Sequence, residues 1–407
     1  MPYTIGIDLT LDHIGAYVSG SEKAEIWPAS LAYGKTDNKW YAGSEAYKKA
    51  LTNDAVITDK LLRLLKMGGT HTINGKALSA VYLLSELFKT VFREITGESG
   101  FSADDRVCIC IHEASAELLD GIKESAVLSG ISPERLTVTT HEEAFIYYVL
   151  SLDKSFYTNT CMLFDMGKES LSCYEFSLLR GMKVPAAKCT GTDIPEAFRA
   201  GILSSESGKA LGNRIITDAA KRFMEGKLVS SVFLTGDGFE DTDWAPDFLS
   251  YICQRRKVML EKGLFAIGAS LIAKAEEEGT EREEMVLCNS RLQAELSLSV
   301  RAAGRDVKLI LLHKGERWHG LNVRAELMPY NGDFLDFTIE PAEPGAEKRV
   351  VRADLSSFPK RPPRTTRAEV SISPKDRGTL ELTVKDLGFG DLFPAAGTEI
   401  HEEISLL

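Results

Sequence analysis

The stretches IGIDLTLDHIGAYV (5–18) and MLFDMGKESLSCYEF (162–176) decide the fold, because they repeat one arrangement. Each reads as a short apolar strand that ends in an aspartate and is followed by a turn and a second strand. The two aspartates, Asp8 and Asp165, lie 157 positions apart. This repetition predicts two similar halves, each of which presents a carboxylate at a hairpin that faces a shared cleft.

The sequence around the two hairpins is typical of an α/β domain, since short apolar runs alternate with long helix-like stretches up to about residue 285. The predicted helices are 76–96, 114–129, 142–152, 207–225 and 254–278. From residue 291 onward, alternating apolar and polar residues separated by Gly, Pro, Asn and Asp predict an antiparallel β-sandwich. We therefore expect a two-lobed domain at 1–275, an acidic linker at 276–290 and a β-sandwich domain at 291–407.

Composition excludes several classes of protein. Of the 407 residues, 44% are hydrophobic and 26% charged, which is ordinary for a globular chain. No apolar run approaches the ~20 residues of a membrane helix, and no signal peptide is recognisable at the start. The net charge of −11 argues against a nucleic-acid partner. The basic stretch 348–367 contains three prolines, and we predict an exposed loop there rather than a docking surface.

The seven cysteines show no CxxC spacing, and we expect reduced thiols in a cytoplasmic protein. The Cys108-Ile109-Cys110 run alternates along a strand and should bury both thiols on one face. Motifs of other enzyme classes, such as GxSxG, HExxH and Walker A, do not occur in the sequence. The pair Asp12 and His13 lies in a turn, where neighbouring polar residues are usually only solvated.

With these features in order, residues 1–275 resemble the actin-fold ATPases, which share a duplicated, ribonuclease-H-like lobe, and most closely the DnaK-type heat-shock chaperones. The similar segments, in the order of that family, are 5–9, 27–46, 106–131, 136–150, 163–167, 190–194, 232–239 and 262–270. The resemblance implies a cleft that binds ATP or ADP with Mg²⁺. It also implies that the C-terminal β domain binds a protein or peptide partner, although no peptide-binding residue can be carried over.

The resemblance also implies roles for particular residues. Asp8 and Asp165 would be metal ligands and, with Lys66, catalytic residues. The cofactor-binding positions would be Thr10, Gly167, Lys168, Gly236 and Gly238. The acid that positions the attacking water would fall at His141, Glu142 or Glu143, three positions between which the sequence does not decide.

Several departures from the family pattern weaken the predicted site. Thr10 and Leu11 replace a glycine and a hydroxyl residue of the first phosphate loop, and Asp12 adds a negative charge there. In the second loop, Lys168 and Glu169 replace two glycines. The 69 positions from Gly167 to Gly236 are too few for the subdomain that closes over adenine in the chaperones.

Two functions therefore remain open, and a third is weaker. The chain is either a divergent DnaK-like protein that binds nucleotide and is at most a slow ATPase, or a pseudo-ATPase scaffold that binds none. A sugar or acyl kinase of the same superfamily is weaker, because the β-rich C-terminal part has no place in such enzymes.

Overall fold

The chain forms a mixed α/β unit followed by a strand-rich unit. The computed structural model describes residues 3–97, 102, 104–194, 199–280, 282–329 and 333–407. Its two compact units meet in sequence between Glu284 and Met285. Within the described residues, no helix is long and apolar enough to cross a membrane.

The first unit contains two series of strands and helices. The first series is β1 (Thr4–Leu9), β2 (His13–Val18), β3 (Glu25–Pro28), β4 (Leu31–Gly34), β5 (Trp40–Ala42), α1 (Gly43–Leu51), β6 (Ala55–Thr58), α2 (Leu61–Lys66), β7 (Thr70–Ile73), β8 (Lys76–Ser79), α3 (Ala80–Thr96), β9 (Arg106–Ile111), α4 (Ala116–Leu128), β10 (Leu136–Thr140) and α5 (His141–Ser151). The second series is β11 (Thr160–Met166), β12 (Leu171–Leu179), β13 (Ala186–Asp193), α6 (Glu206–Met224), β14 (Val229–Thr235), α7 (Pro246–Ile252), β15 (Lys257–Leu260) and α8 (Leu264–Glu278).

The main sheets of the two series have the same strand order. The first reads β10-β9-β1-β2-β3, and the second contains β15-β14-β11-β12-β13. In each, the first strand in sequence pairs antiparallel with the next strand and parallel with the strand on its other side. Asp8 and Asp165 therefore occupy equivalent places near the ends of the two central strands.

Helix α8 is held against β1 and α5 by close backbone contacts at two glycines. A Cβ atom on Gly6 of β1 would lie 2.0 Å from the carbonyl oxygen of Ala266 in α8. A Cβ atom on Gly268 would lie 2.1 Å from the carbonyl oxygen of Ala144 in α5. Only glycine permits such approaches, and they fix α8 against β1, the strand that carries Asp8, and against α5.

The second unit begins with β16 (Met285–Leu287), and the strands that follow form two four-stranded sheets. These strands are β17 (Ala294–Ala302), β18 (Arg305–Leu312), β19 (Val323–Leu327), β20 (Phe334–Pro341), β21 (Arg349–Asp354), β22 (Arg367–Pro374), β23 (Thr379–Gly388) and β24 (Glu399–Ser405). The sheet orders are β18-β17-β20-β21 and β19-β22-β23-β24, with all pairs antiparallel. Burial alternates along β22 and β23, as the sequence pattern predicts for two-faced strands.

Two predicted helices are shorter than expected. Lys76–Ser79 forms a strand that pairs with β7 through a turn in which Asn74 and Gly75 both have positive φ, so the predicted helix 76–96 begins only at Ala80. The prediction of a helix over 254–278 is wrong at its start, because Lys257–Leu260 pairs parallel with β14.

Two predicted irregular segments contain regular structure. The stretch 348–367 includes β21, and Arg361 within it makes a buried ion pair with Asp386, at 2.6 Å between nitrogen and oxygen. It is therefore not a simple solvated loop, because strand pairing and a buried guanidinium anchor it. The predicted linker 276–290 likewise includes the end of α8 and all of β16.

Candidate functional site

The carboxylate of Asp8 is held between two imidazoles. Its Oδ2 atom lies 3.1 Å from Nε2 of His13, the first residue of β2. Its Oδ1 atom lies 2.7 Å from Nε2 of His141, the first residue of α5. Asp8 is buried, so both carboxylate oxygens satisfy their hydrogen-bonding needs inside the protein.

Burial and charge set the protonation of this triad. Burial opposes ionisation of Asp8, but His141 and the hydrogen bonds from both imidazoles hold its pKa well below the usual range. Burial also acts against a charge on His13, yet the hydrogen bond and charge of Asp8, helped by Asp165, raise the pKa of His13 to about 9. For His141, burial outweighs Asp8 and lowers the pKa. The triad is thus an Asp8–His13 ion pair with a neutral His141 as second donor.

The hydrogen bonds continue from His141 towards β13. The Nδ1 atom of His141 lies 3.3 Å from the hydroxyl of Tyr174, and Nδ1 of His112 lies 2.8 Å from the same hydroxyl. On its other side, Nε2 of His112 lies 3.0 Å from Oδ1 of Asp193, which also accepts from Ser172. We call the chain Asp8–His141–Tyr174–His112–Asp193 the imidazole network.

Cys110 lies beside Asp8 and His141 on the neighbouring strand. Asp8 and Cys110 are paired positions of the parallel strands β1 and β9, and His141 directly follows β10, the next strand of the sheet. One donor atom from each of these three buried residues lies within 4.8 Å of the others. Burial raises the pKa of the Cys110 thiol well above its usual value. The thiol is therefore protonated, and its sulfur lies 3.3 Å from the carbonyl oxygen of Ile7.

Asp165 contrasts with Asp8. Among the described residues, none hydrogen-bonds or ion-pairs with its carboxylate, which is only partly buried. Burial, together with the negative charge of Asp8, raises the pKa of Asp165 from 3.8 to about 7. The two equivalent aspartates are therefore in opposite states, one doubly hydrogen-bonded and ionised, the other unpaired and partly protonated at neutral pH.

Two cavities adjoin these residues. The larger has a volume of about 470 Å³ and is lined by residues that include Thr10, Lys66 and Gly167. The smaller has a volume of about 30 Å³ and is lined by Asp8 and Gly236, among others. His13 and Asp165 line both cavities, so the two side chains lie where the cavities adjoin.

Of the residues predicted to contact the phosphates, Thr10, Lys66 and Gly167 line the larger cavity, and Lys168 does not. The hydroxyl of Thr10 accepts from the amide of His13 at 3.0 Å and closes the turn between β1 and β2. Lys66 is exposed and makes an ion pair of 2.7 Å with Glu113. Gly167 lines the cavity, whereas Lys168 points towards Asp237, at 3.9 Å.

The two glycines predicted to bind the nucleoside have different surroundings. Gly236 lines the smaller cavity beside Asp165. Gly238 is buried, packs against Met166, and its carbonyl accepts from the indole of Trp244 at 2.9 Å. Only the first of the pair therefore faces a cavity next to the aspartates.

The three candidates for the water-positioning residue have different contacts. Glu142 accepts from the amide of Gly191 at 2.6 Å, and Glu143 accepts from the hydroxyl of Thr139 at 2.5 Å. Both glutamates are buried, and of the three residues it is His141 that contacts Asp8.

Sequence reasoning missed most of the triad and the network. The expectation that His13 is only solvated is wrong, because the tight turn closed by Thr10 directs the imidazole back onto Asp8. Cys110, Tyr174 and His112 were not assigned to the site. The signal visible in the sequence for Cys110 and His112 is position, since both come at the carboxyl end of a predicted strand.

Comparison with known proteins gives two matches that together cover most of the chain. Residues 16–290 match the C-terminal part of a family of unknown function, DUF5716. Residues 291–406 match a domain of unknown function, DUF8552. No curated protein matches the sequence. Since the first match covers more than half of the residues, the chain belongs to the DUF5716 family.

Proposed function

We propose that the first unit is a two-lobed, duplicated actin-like domain related to the DnaK-type chaperones. Three observations support this proposal: the repeated strand order of the two main sheets, the equivalent positions of Asp8 and Asp165, and the direct contact of α5 with α8 at Gly268. On this proposal the second unit is the β-sandwich that follows the nucleotide-binding domain in the chaperones.

The function that the geometry supports best is that of a pseudo-ATPase, a scaffold that retains the fold but binds no nucleotide. The observation that carries it is the Asp8–His13 pair. The side chain that is ion-paired with Asp8 lines the same cavity as both aspartates, and on this proposal a nucleotide phosphate and its metal would have to lie there.

The small volume of the cavity beside Gly236 supports the same proposal. A volume of about 30 Å³ holds one or two water molecules, whereas pockets for drug-sized ligands measure roughly 300–1,000 Å³. A nucleoside on this side would have to displace packed side chains.

The predicted Mg²⁺ site does not fit the residues present. Mg²⁺ prefers six oxygen ligands and keeps several of its waters. Both oxygens of Asp8 instead accept from imidazoles, so the groups around this carboxylate offer nitrogen and not further oxygen ligands. The residues around Asp8 therefore do not support hydrolysis through Mg²⁺.

The partner in this proposal is a protein or peptide that binds the second unit. Strands β21 and β24 are edge strands of the two sheets, and an edge strand offers backbone groups with which an extended peptide can pair. Because the cleft of the first unit binds no nucleotide, partner binding should not depend on ATP.

The experiment is a measurement of thermal stability and of partner capture with and without Mg-ATP. The scaffold proposal predicts the same thermal midpoint and the same captured proteins under both conditions, since only a ligand that binds the folded state shifts its stability. A midpoint that rises with Mg-ATP concentration would overturn it. The variant His13→Ala, which removes the side chain that is ion-paired with Asp8, is the matched comparison.

A second candidate is favoured by the larger cavity. About 470 Å³ is enough for a small ligand, and the unpaired Asp165 lines it together with Lys66 and Gly167. If this is a weakened nucleotide site, the double substitution Asp12→Thr and Glu169→Gly should tighten Mg-ATP binding by about 1–2 kcal/mol, because it removes two like charges. If the protein is a scaffold, the double variant should still bind no ATP.

A further inference from the structure

We propose that Asp8, Cys110 and His141 bind a divalent transition metal of the zinc class. This site goes beyond the scaffold function and does not depend on it. Its donors lie at the ends of three adjacent parallel strands, β1, β9 and β10, and all three are buried. Their donor atoms lie within 4.8 Å of one another, so small shifts of the side chains would bring all three to the usual bond lengths of about 2.0–2.3 Å from one ion.

The donor set indicates which metal. One carboxylate, one thiolate and one imidazole suit Zn²⁺ and similar ions, whereas Mg²⁺ and Ca²⁺ prefer oxygen ligands. The charges of Asp8 and a thiolate at Cys110 balance a divalent ion.

The imidazole network gives His141 the second partner that a metal-bound imidazole needs. Its Nδ1 atom lies 3.3 Å from the hydroxyl of Tyr174, and this hydroxyl lies 2.8 Å from Nδ1 of His112. The ring can therefore bind an ion through Nε2 while Nδ1 donates to a fixed oxygen. A metal-bound imidazole whose other nitrogen donates to a fixed partner is the usual arrangement in metal sites.

Binding requires a defined exchange of protons. The thiol of Cys110 must lose its proton, which goes to solvent as the sulfur–metal bond forms. The hydrogen bond between His141 and Asp8 is replaced by one metal bond from each residue. His13 keeps its hydrogen bond to the other oxygen of Asp8 and so holds the carboxylate in place.

The test is metal analysis of the full chain, expressed without added histidines and then loaded with zinc or cobalt. We expect one zinc ion per chain after exhaustive dialysis. The cobalt form should show a thiolate-to-cobalt charge-transfer band that Cys110→Ser abolishes. The matched control is Cys108→Ser, a buried thiol two positions earlier on β9, which should keep the band.

A second variant keeps the test decisive if Cys110→Ser does not fold. Tyr174→Phe removes only the hydroxyl that fixes His141, and zinc affinity should fall by roughly 10–100-fold while the cobalt band remains. Zinc content near zero in the wild type, or a cobalt band that survives Cys110→Ser, would overturn the site.

Discussion

Replacing Asp165 by asparagine should stabilise the first unit at pH 8. The folded protein raises the pKa of this carboxyl from 3.8 to about 7, so the folded state binds a proton more tightly than the unfolded state. Stability conferred by that proton is present at low pH and is lost as the pH rises from 3.8 to about 7. At pH 8 the wild type must therefore hold an unfavourable, unpaired carboxylate.

The magnitude follows from the same values. Each pH unit between the two pKa values corresponds to about 1.4 kcal/mol, so the full effect would be about 4 kcal/mol. Asp165 is only partly buried, and solvent screening reduces this to about 2–4 kcal/mol at pH 8. Near pH 3, where the unfolded carboxyl is also largely protonated, Asp165→Asn and the wild type should be almost equally stable.

Hydrogen exchange in urea, read on peptides from β1 and β11, measures the first unit separately. Asp12→Asn is the matched control, since Asp12 lines the same larger cavity, and its effect should stay within about 0.5 kcal/mol. Equal or lower stability of Asp165→Asn at pH 8, or a gain that does not depend on pH, would refute the reasoning.

Three further predictions concern stability. The pKa of His13 is raised from 6.5 to about 9, so the protonated His13 should stabilise the fold fully below pH 6.5. This stabilisation should disappear as the pH rises through 9. His13→Asn should remove this pH dependence of the free energy of unfolding, measured by urea titration across that range. Replacing Arg361 by leucine leaves the buried Asp386 unpaired and should cost about 3–5 kcal/mol, seen as a lower urea midpoint of the second unit. Gly268→Ala should cost at least about 1–3 kcal/mol, because its Cβ has no room, whereas Gly201→Ala, with nothing within 4 Å, should change the thermal midpoint little.

The sequence predicted the elements that have strong patterns. The strands around Asp8 and Asp165 are almost entirely buried apolar runs, and the structure confirms both with their hairpin partners. The errors lie where local signals compete. The helical periodicity of 76–96 concealed the Asn74-Gly75 hairpin, a turn signal that could have been recognised.

The site was harder to predict, because its contacts join residues far apart in sequence. His141 lies 133 positions from Asp8, and Tyr174 lies 62 positions from His112. Which imidazole meets which carboxylate depends on strand register and on the direction of a turn, and neither can be derived from residue types alone. The repeat of the two aspartates, in contrast, was visible at once.

Calorimetric titration of the purified protein with Mg-ATP and with Mg-ADP measures whether the cleft of the first unit binds nucleotide. The Asp8–His13 pair and the small volume beside Gly236 predict no saturable heat of binding for either nucleotide. Saturable binding with a dissociation constant below about 1 mM, equivalent to roughly −4 kcal/mol, would contradict the claim that the cleft is closed to nucleotides.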